Sequence, residues 1–175
     1  LVAATQGLDF QVSPVALNKG EANFVKDLQS AWAQDVFKGF ELYLLRNQTG
    51  QGAVGVFIDG GFQPDFILWL VRDSKQYVIF VDPKGLRNHT PQSPKVQFHR
   101  SIKEIQATLQ TQKSENADIQ LDAFLISNTP KASLLGDWCD DKGNPVTEQQ
   151  LEDWHILFEQ DGVEAVRTLV NKVTG

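Results

Sequence analysis

Residues 61–70 read Gly-Phe-Gln-Pro-Asp-Phe-Ile-Leu-Trp-Leu, and residues 77–85 read Tyr-Val-Ile-Phe-Val-Asp-Pro-Lys-Gly. Both runs are rich in aromatic and β-branched residues and are bounded by Gly or Pro, which predicts two strands. The polar residues 72–76 between them predict a short turn, so the two strands form a hairpin. The start of the first strand then lies beside the end of the second.

Three ionisable residues interrupt or end these apolar strands. Asp65 stands near the start of the first strand, and Asp82 and Lys84 stand at the end of the second. A carboxylate buried in an apolar strand is costly unless something pairs with it. The hairpin brings Asp65 towards Asp82, and residues two apart in a strand share a face. Because Mg²⁺ prefers oxygen ligands and needs only one or two carboxylates, the pattern predicts a magnesium site with a lysine beside it.

The order Pro64-Asp65, strand, turn and Asp82-Pro83-Lys84 resembles the motif of the PD-(D/E)xK nuclease superfamily. The resemblance extends to the strings around these residues and to residues 41–47, Glu-Leu-Tyr-Leu-Leu-Arg-Asn. From about Glu21 to about Thr129, the chain is similar to the C-terminal nuclease region of the restriction subunit of type III restriction enzymes and related helicase-nucleases.

This resemblance implies a restriction-endonuclease-like α/β/α core and Mg²⁺-dependent endonuclease activity on DNA, with Mn²⁺ as an expected substitute. Asp65, Asp82 and the backbone carbonyl of Pro83 would hold the metal. Lys84 would orient the attacking water or stabilise the charge of the transition state. The implied partners are DNA, the helicase/ATPase region of the same polypeptide and a modification or specificity subunit. ATP would act only through the helicase region, outside this chain.

Glu21 has two interpretations. It matches the place where an acid from the first helix often completes the metal site of the superfamily. The alternative is that Glu21 only stabilises the N-terminal end of its helix through the helix dipole.

The composition is that of one globular domain spanning residues 1–175, with 41% hydrophobic and 22% charged residues. No apolar run approaches the ~20 residues needed to span a bilayer, and no signal peptide is recognisable, so no membrane association is expected. The single cysteine, Cys139, cannot form an internal disulfide, and this favours a cytoplasmic location.

The chain starts with Leu1 and contains no methionine, which predicts a piece of a longer helicase-nuclease. Its net charge of −6 argues against independent DNA binding, because phosphate contacts need Lys and Arg. An acidic catalytic domain attached to a separate DNA-gripping region would avoid that difficulty. The alternative function is a catalytically inactive module that serves as a binding or scaffolding part of a DNA-processing complex. Action on RNA stays open.

Hydrophobic periodicity predicts a mixed central sheet of about five strands flanked by helices, an α/β fold. The predicted helices cover residues 20–36, 97–112 and 161–173, with a short helix starting at Thr147. The further predicted strands cover residues 40–47, 53–58, 119–127 and 155–158. Residues 1–18 are expected to be a lead-in or edge segment, and residues 131–146 the least regular part.

Other candidate sites are weaker. The Gly-rich residues 50–61 lack the Gly-Lys-Ser/Thr ending of a phosphate-binding loop. The histidines are scattered without metal-ligand spacing, at positions His89, His99 and His155. The loop after the motif carries Arg87, Lys95 and Arg100, which either contact phosphate or are simply solvated. The acidic group of Asp137, Cys139, Asp140 and Asp141 fits a solvated loop better than a second metal site.

Overall fold

The computed structural model describes residues 2–3, 16–47, 63–112 and 118–175. A single turn of 3-10 helix at Glu159–Asp161 precedes the last helix. The helices and strands in chain order are β1 (Val2–Ala3), α1 (Lys19–Ala33), β2 (Glu41–Arg46), β3 (Phe66–Arg72), β4 (Lys75–Lys84), α2 (Phe98–Gln112), β5 (Ile119–Ser127), α3 (Lys131–Asp137), α4 (Glu148–Asp153), β6 (Ile156–Phe158) and α5 (Val163–Thr174).

The strands of the described residues form one sheet in the order β1-β2-β3-β4-β5-β6. The pairs from β1 to β4 are antiparallel, and β4, β5 and β6 run parallel. Helix α2 makes the crossover between the parallel strands β4 and β5. Because β1 has only two residues, five longer strands make up most of the sheet. The predicted α/β class, with a mixed sheet of about five strands flanked by helices, is confirmed.

Helices cover both faces of the sheet, because successive residues of a strand point to opposite sides. On one face, Leu68 of β3 and Ile79 of β4 belong to a core cluster shared with α1 and α5. On the other face, Ile67 and Phe80 pack with residues of α2, namely Phe98 and Ile102. Full burial of a side chain of this size stabilises the fold by about 1.5–3 kcal/mol. Packing against different helices on the two faces therefore fixes the side of the sheet on which each strand residue lies.

A third core cluster lies where α3, α4 and β6 meet. Trp138 and Trp154 are buried there, with ring centroids 6.3 Å apart. Helix α3 falls within residues 131–146, where the sequence predicts little regular structure, so this expectation was wrong for its first half. The apolar residues of α3 are too few to show a helical period, and only Leu134 of this helix is buried.

Other sequence predictions hold with small shifts. The hairpin turn is only Asp73-Ser74, since Arg72 already pairs with Lys75. Asp73 adopts a φ of 56°, a conformation that aspartate tolerates better than most residues. The predicted short helix at Thr147 is present as α4, with Thr147 as its N-cap and a capping box formed with Gln150. The predicted strand 53–58 and the Gly-rich residues 50–61 lie outside the described residues.

Within the described ranges, every helix is too short or too polar to cross a bilayer.

Candidate active site

The β3–β4 pairing places Asp65 and Asp82 side by side. Phe66 pairs with Val81 in the antiparallel register, so Asp65 and Asp82 are the next two residues outward. Both side chains point to the face that α2 covers, because Ile67 and Phe80 occupy that face two residues further in. The predicted meeting of the two carboxylates is therefore present at this end of the sheet.

The two carboxyl groups interact directly. Burial raises the pKa of Asp65 to about 7, and the hydrogen bond and charge of Asp82 add to this rise. Glu21 raises the pKa of Asp65 further, while the nearby ammonium of Lys95 lowers it. Two carboxylates that share one site cannot both ionise easily without a cation. The pair therefore has the electrostatic character of a cation site.

Lys95 supplies a positive charge at this pair. Its Nζ forms an ion pair with Oδ2 of Asp82, whose side chain is 3% exposed. No hydrogen bond of ordinary geometry from the described residues reaches this buried oxygen, so the ion pair is its principal polar contact. From the sequence, Lys95 is predicted only as one of the basic residues of a polar loop.

Lys84 belongs to the same group of charges. Burial lowers the pKa of Lys95, and the nearby positive charge of Lys84 lowers it further, against the opposing effect of Asp82. His89 lies close enough for Lys84 and Lys95 to lower its pKa, in addition to the effect of burial. The structure therefore brings Asp65, Asp82 and Lys84 to one place, together with Lys95 and His89.

Glu21 lies at the same end of the sheet but has other partners. One of its carboxylate oxygens accepts a 2.8 Å hydrogen bond from Arg46 and a 2.7 Å bond from the backbone N–H of Asn18. Asn18 in turn accepts from the N–H of Glu21, which completes a capping box at the start of α1. The observed contacts of Glu21 are thus a capping box at the start of α1 and an ion pair with Arg46 of β2.

Backbone contacts around the pair hold it in place. Asn47 is buried, and its backbone N–H and side-chain amide donate to the carbonyls of Asp65 and Pro64 at 2.8 and 2.9 Å. On the neighbouring strand, the carbonyl of Lys84 accepts from the N–H of Asn128 at 3.1 Å. A Cβ on Gly85 would lie 3.0 Å from Oδ1 of Asn128, so this position needs glycine or a shift of that amide. The buried Asn47 was missed by sequence reasoning, which treated it as the last residue of a strand.

The donor set of this site fits magnesium chemistry. Asp65 and Asp82 offer hard oxygen atoms, and Pro83 lies between Asp82 and Lys84 with a backbone carbonyl. Magnesium keeps several waters and needs only one or two carboxylates. Among the described residues, no group of three or more His, Cys, Asp or Glu side chains has an arrangement that could hold a metal ion, and Glu21 as a third ligand stays a prediction.

The other candidate sites from the sequence are the acidic group at residues 137–141, which lies at the end of α3 and in the loop after it, and the histidines, two of which lie in a buried cluster. Oδ1 of Asp140 accepts from the backbone N–H groups of Lys142 and Asn144 at 2.9 and 2.8 Å, which makes a tight exposed turn. Cys139 is exposed. His99 and His155 are not scattered in space, because their rings stack with centroids 5.0 Å apart. They lie around Asp122, a carboxylate in the middle of the apolar strand β5. A carboxylate in such a position indicates, from the sequence alone, that a polar or charged partner must lie nearby.

No family model matches this chain, and no match was found among curated proteins or solved structures.

Proposed function

We propose that this chain is a metal-dependent nuclease domain that hydrolyses phosphodiester bonds of DNA. It would work in the cytoplasm within a helicase-nuclease similar to the restriction subunits of type III restriction enzymes. One observation carries the proposal: Asp65 and Asp82 lie side by side on one sheet face, with the ammonium groups of Lys84 and Lys95 next to them.

Each residue has a defined role in this proposal. Asp65, Asp82 and the carbonyl of Pro83 would hold Mg²⁺ or Mn²⁺. When bound, such an ion makes a water nucleophilic near neutral pH and neutralises charge on the phosphate oxygens. Lys84 would orient the attacking water or stabilise the negative charge that develops on the phosphate. Asn47 is a positioning residue, because its two bonds hold the Pro64-Asp65 segment.

The net charge of −6 favours a domain that depends on other parts of a larger machine to grip DNA. The helicase/ATPase region and the modification or specificity subunit would provide that grip. ATP hydrolysis would take place in the helicase region.

The test is a plasmid-nicking assay with Mn²⁺ that compares the unaltered chain with Lys84→Ala and with Asp82→Asn. Lys26→Ala is the matched control, since Lys26 is an exposed lysine of α1. Nicking that EDTA, Lys84→Ala and Asp82→Asn each abolish, and that Lys26→Ala retains, would support the proposal. Nicking that persists in Lys84→Ala and Asp82→Asn would contradict it. The same assay with single-stranded RNA as the substrate shows whether the chain cleaves DNA, RNA or both.

A second candidate function is a non-catalytic module of a DNA-processing complex. The ion pair of Lys95 with Asp82 favours it, because a buried carboxylate that already has a cation partner does not require a metal. Absence of nicking in all variants, together with absence of Mn²⁺ binding, would favour this candidate.

A further inference from the structure

Lys95 provides the charge that the most buried carboxylate of the site requires. The Asp82 side chain is 3% exposed, and the Lys95 side chain that pairs with it is 17% exposed. Leaving such a carboxylate without a partner is strongly unfavourable in the protein interior. In the absence of metal, the ammonium of Lys95 therefore serves as the counter-ion of Asp82.

With both aspartates ionised, the two lysines of the site balance the two carboxylates, and Glu21 is paired with Arg46. Asp65 and Asp82 carry two negative charges when both are ionised, and Lys84 and Lys95 carry two positive charges. A divalent cation added to this group leaves an excess of two positive charges in a half-buried space. Like charges at such short range repel strongly where water is excluded. Removal of one ammonium from the carboxylates relieves part of that excess.

We propose that Lys95 is an internal cation that occupies the metal position at Asp82, so that Mg²⁺ or Mn²⁺ binds only as the Lys95 ammonium leaves this carboxylate. The inference rests on the proposed function, because it concerns the metal site of the nuclease. It adds a regulatory feature to that site: metal and lysine compete for one carboxylate.

The movement needs only the side chain of Lys95. Its backbone is held in the turn that leads into α2, where the carbonyl of Lys95 accepts from the N–H of Phe98 at 3.3 Å. The lysine side chain has four flexible carbon–carbon bonds and already reaches solvent in part. Its ammonium can therefore move to water without any change in the sheet or in α2.

The test measures the dissociation constant for Mn²⁺ by isothermal titration calorimetry on the unaltered chain and on Lys95→Gln. The variant is expected to bind Mn²⁺ more tightly by roughly tenfold or more, within the range typical of coupling between two ligands. Lys103→Gln is the matched control, because Lys103 pairs with a different buried aspartate, Asp122, at 2.9 Å. Its Mn²⁺ affinity is expected to equal that of the unaltered chain.

Thermal unfolding gives a readout that does not depend on activity. Without metal, Lys95→Gln is expected to unfold at a lower temperature, because Asp82 has lost its counter-ion. Added Mn²⁺ is then expected to raise the Tm of Lys95→Gln by more than it raises the Tm of the unaltered chain.

If Lys95→Gln does not fold, the unaltered protein provides the test. The ammonium of Lys95 gives a nitrogen-15 NMR signal while the ion pair protects it from exchange, and this signal is expected to shift or disappear as Mg²⁺ is added. A signal that Mg²⁺ leaves unchanged at saturation would overturn the inference.

Equal or weaker Mn²⁺ binding by Lys95→Gln would also overturn it, and the nuclease proposal would stand, because metal still binds. Failure of both proteins to bind Mn²⁺ would overturn the inference as well. The plasmid assay with Lys84→Ala then decides the nuclease proposal separately.

Discussion

Nδ1 of His155 lies 2.9 Å from Oδ1 of Asp122, a carboxylate that is 2% exposed. The other oxygen of Asp122 lies 2.9 Å from Nζ of Lys103. Burial alone would raise the pKa of Asp122, but the hydrogen bonds and charges of His155 and Lys103 outweigh burial and lower it. Asp122 is therefore a structural anion that joins β5, α2 and the residue preceding β6.

This arrangement predicts a loss of stability on replacement of Asp122 by asparagine. Asp122→Asn removes the negative charge of the carboxylate that contacts Lys103 and His155. We expect the free energy of unfolding to fall by about 1–3 kcal/mol. Urea denaturation at pH 7 measures this change. Asp118→Asn is the matched control, because Asp118 is an exposed aspartate just before the same strand. Equal stability of the two variants would contradict the structural role of Asp122.

The burial of His99 is expected to make the stability of the fold sensitive to acid in a defined pH range. Burial lowers its pKa from 6.5 to about 4, and the charges of His155 and Arg100 act in the same direction, against Asp122 and the bond to Val96. Between pH 6.5 and 4, the unfolded chain therefore binds a proton at His99 that the folded chain does not. Stability is lost as the pH falls through this range, by up to about 3 kcal/mol from this residue.

The measurement for His99 is urea denaturation at several pH values from 7.5 to 4. His99→Gln cannot titrate, so its stability is expected to fall less steeply between pH 6.5 and 4. His89→Gln is the control: His89 is more exposed, and its replacement is expected to change the slope less. An unchanged slope in His99→Gln would contradict the prediction.

Asp65 is expected to have the opposite effect on stability in the metal-free protein, where its contribution falls as the pH rises. Its pKa in the fold is about 7, above the ordinary value of 3.8, so the folded chain keeps a proton that the unfolded chain has lost. Stability from this residue decreases as the pH rises from about 4 to 7. Asp65→Asn at pH 8 in EDTA is expected to stabilise the protein by about 1–2 kcal/mol, a figure reduced for screening by water.

Under the proposed function, the same Asp65→Asn change is expected to weaken Mn²⁺ binding, since it removes one of the two carboxylates proposed to hold the ion. Asp73→Asn in the exposed hairpin turn is the control for both measurements, because asparagine also tolerates the positive φ of that position. Destabilisation of the metal-free protein by Asp65→Asn at pH 8 would refute the prediction.

Replacement of Glu21 is expected to lower the stability of the fold without changing metal binding. Glu21→Gln keeps the capping bond to the N–H of Asn18 but loses the charge that faces Arg46. We expect a loss of stability of about 1 kcal/mol and nearly unchanged Mn²⁺ affinity. Calorimetry and urea denaturation on the same samples test both parts. A Mn²⁺ affinity that falls as far as in Asp82→Asn would instead make Glu21 a metal ligand.

Much of the fold is predictable because its elements are long and strongly patterned. Strand β5 coincides with the predicted residues 119–127, and α2 begins one residue later than predicted. The pairing of Asp65 with Asp82 was predictable for a similar reason: an antiparallel hairpin has one register once its turn is placed.

The ion pair of Lys95 with Asp82 was not predictable from periodicity. Lys95 lies in an irregular loop, and only the path of that loop back over the sheet end brings its ammonium to the carboxylate. The Asp122 cluster has the same origin, because Lys103, Asp122 and His155 are distant in sequence and meet through tertiary packing. A charged residue inside an apolar strand indicates that a partner exists, but it does not identify the partner.

The two-residue turn at Asp73 and Ser74 lies at the far end of the hairpin from the two carboxylates. A hairpin closes first near its turn, where the loop to be closed is shortest. The last rung, Phe66 with Val81, and the carboxylates beyond it therefore come together late in folding. Their mutual repulsion then acts mainly on the unfolding rate, so neutralising Asp65 slows unfolding and leaves the folding rate almost unchanged. We therefore expect the two carboxylates to contribute little to the step that sets the folding rate.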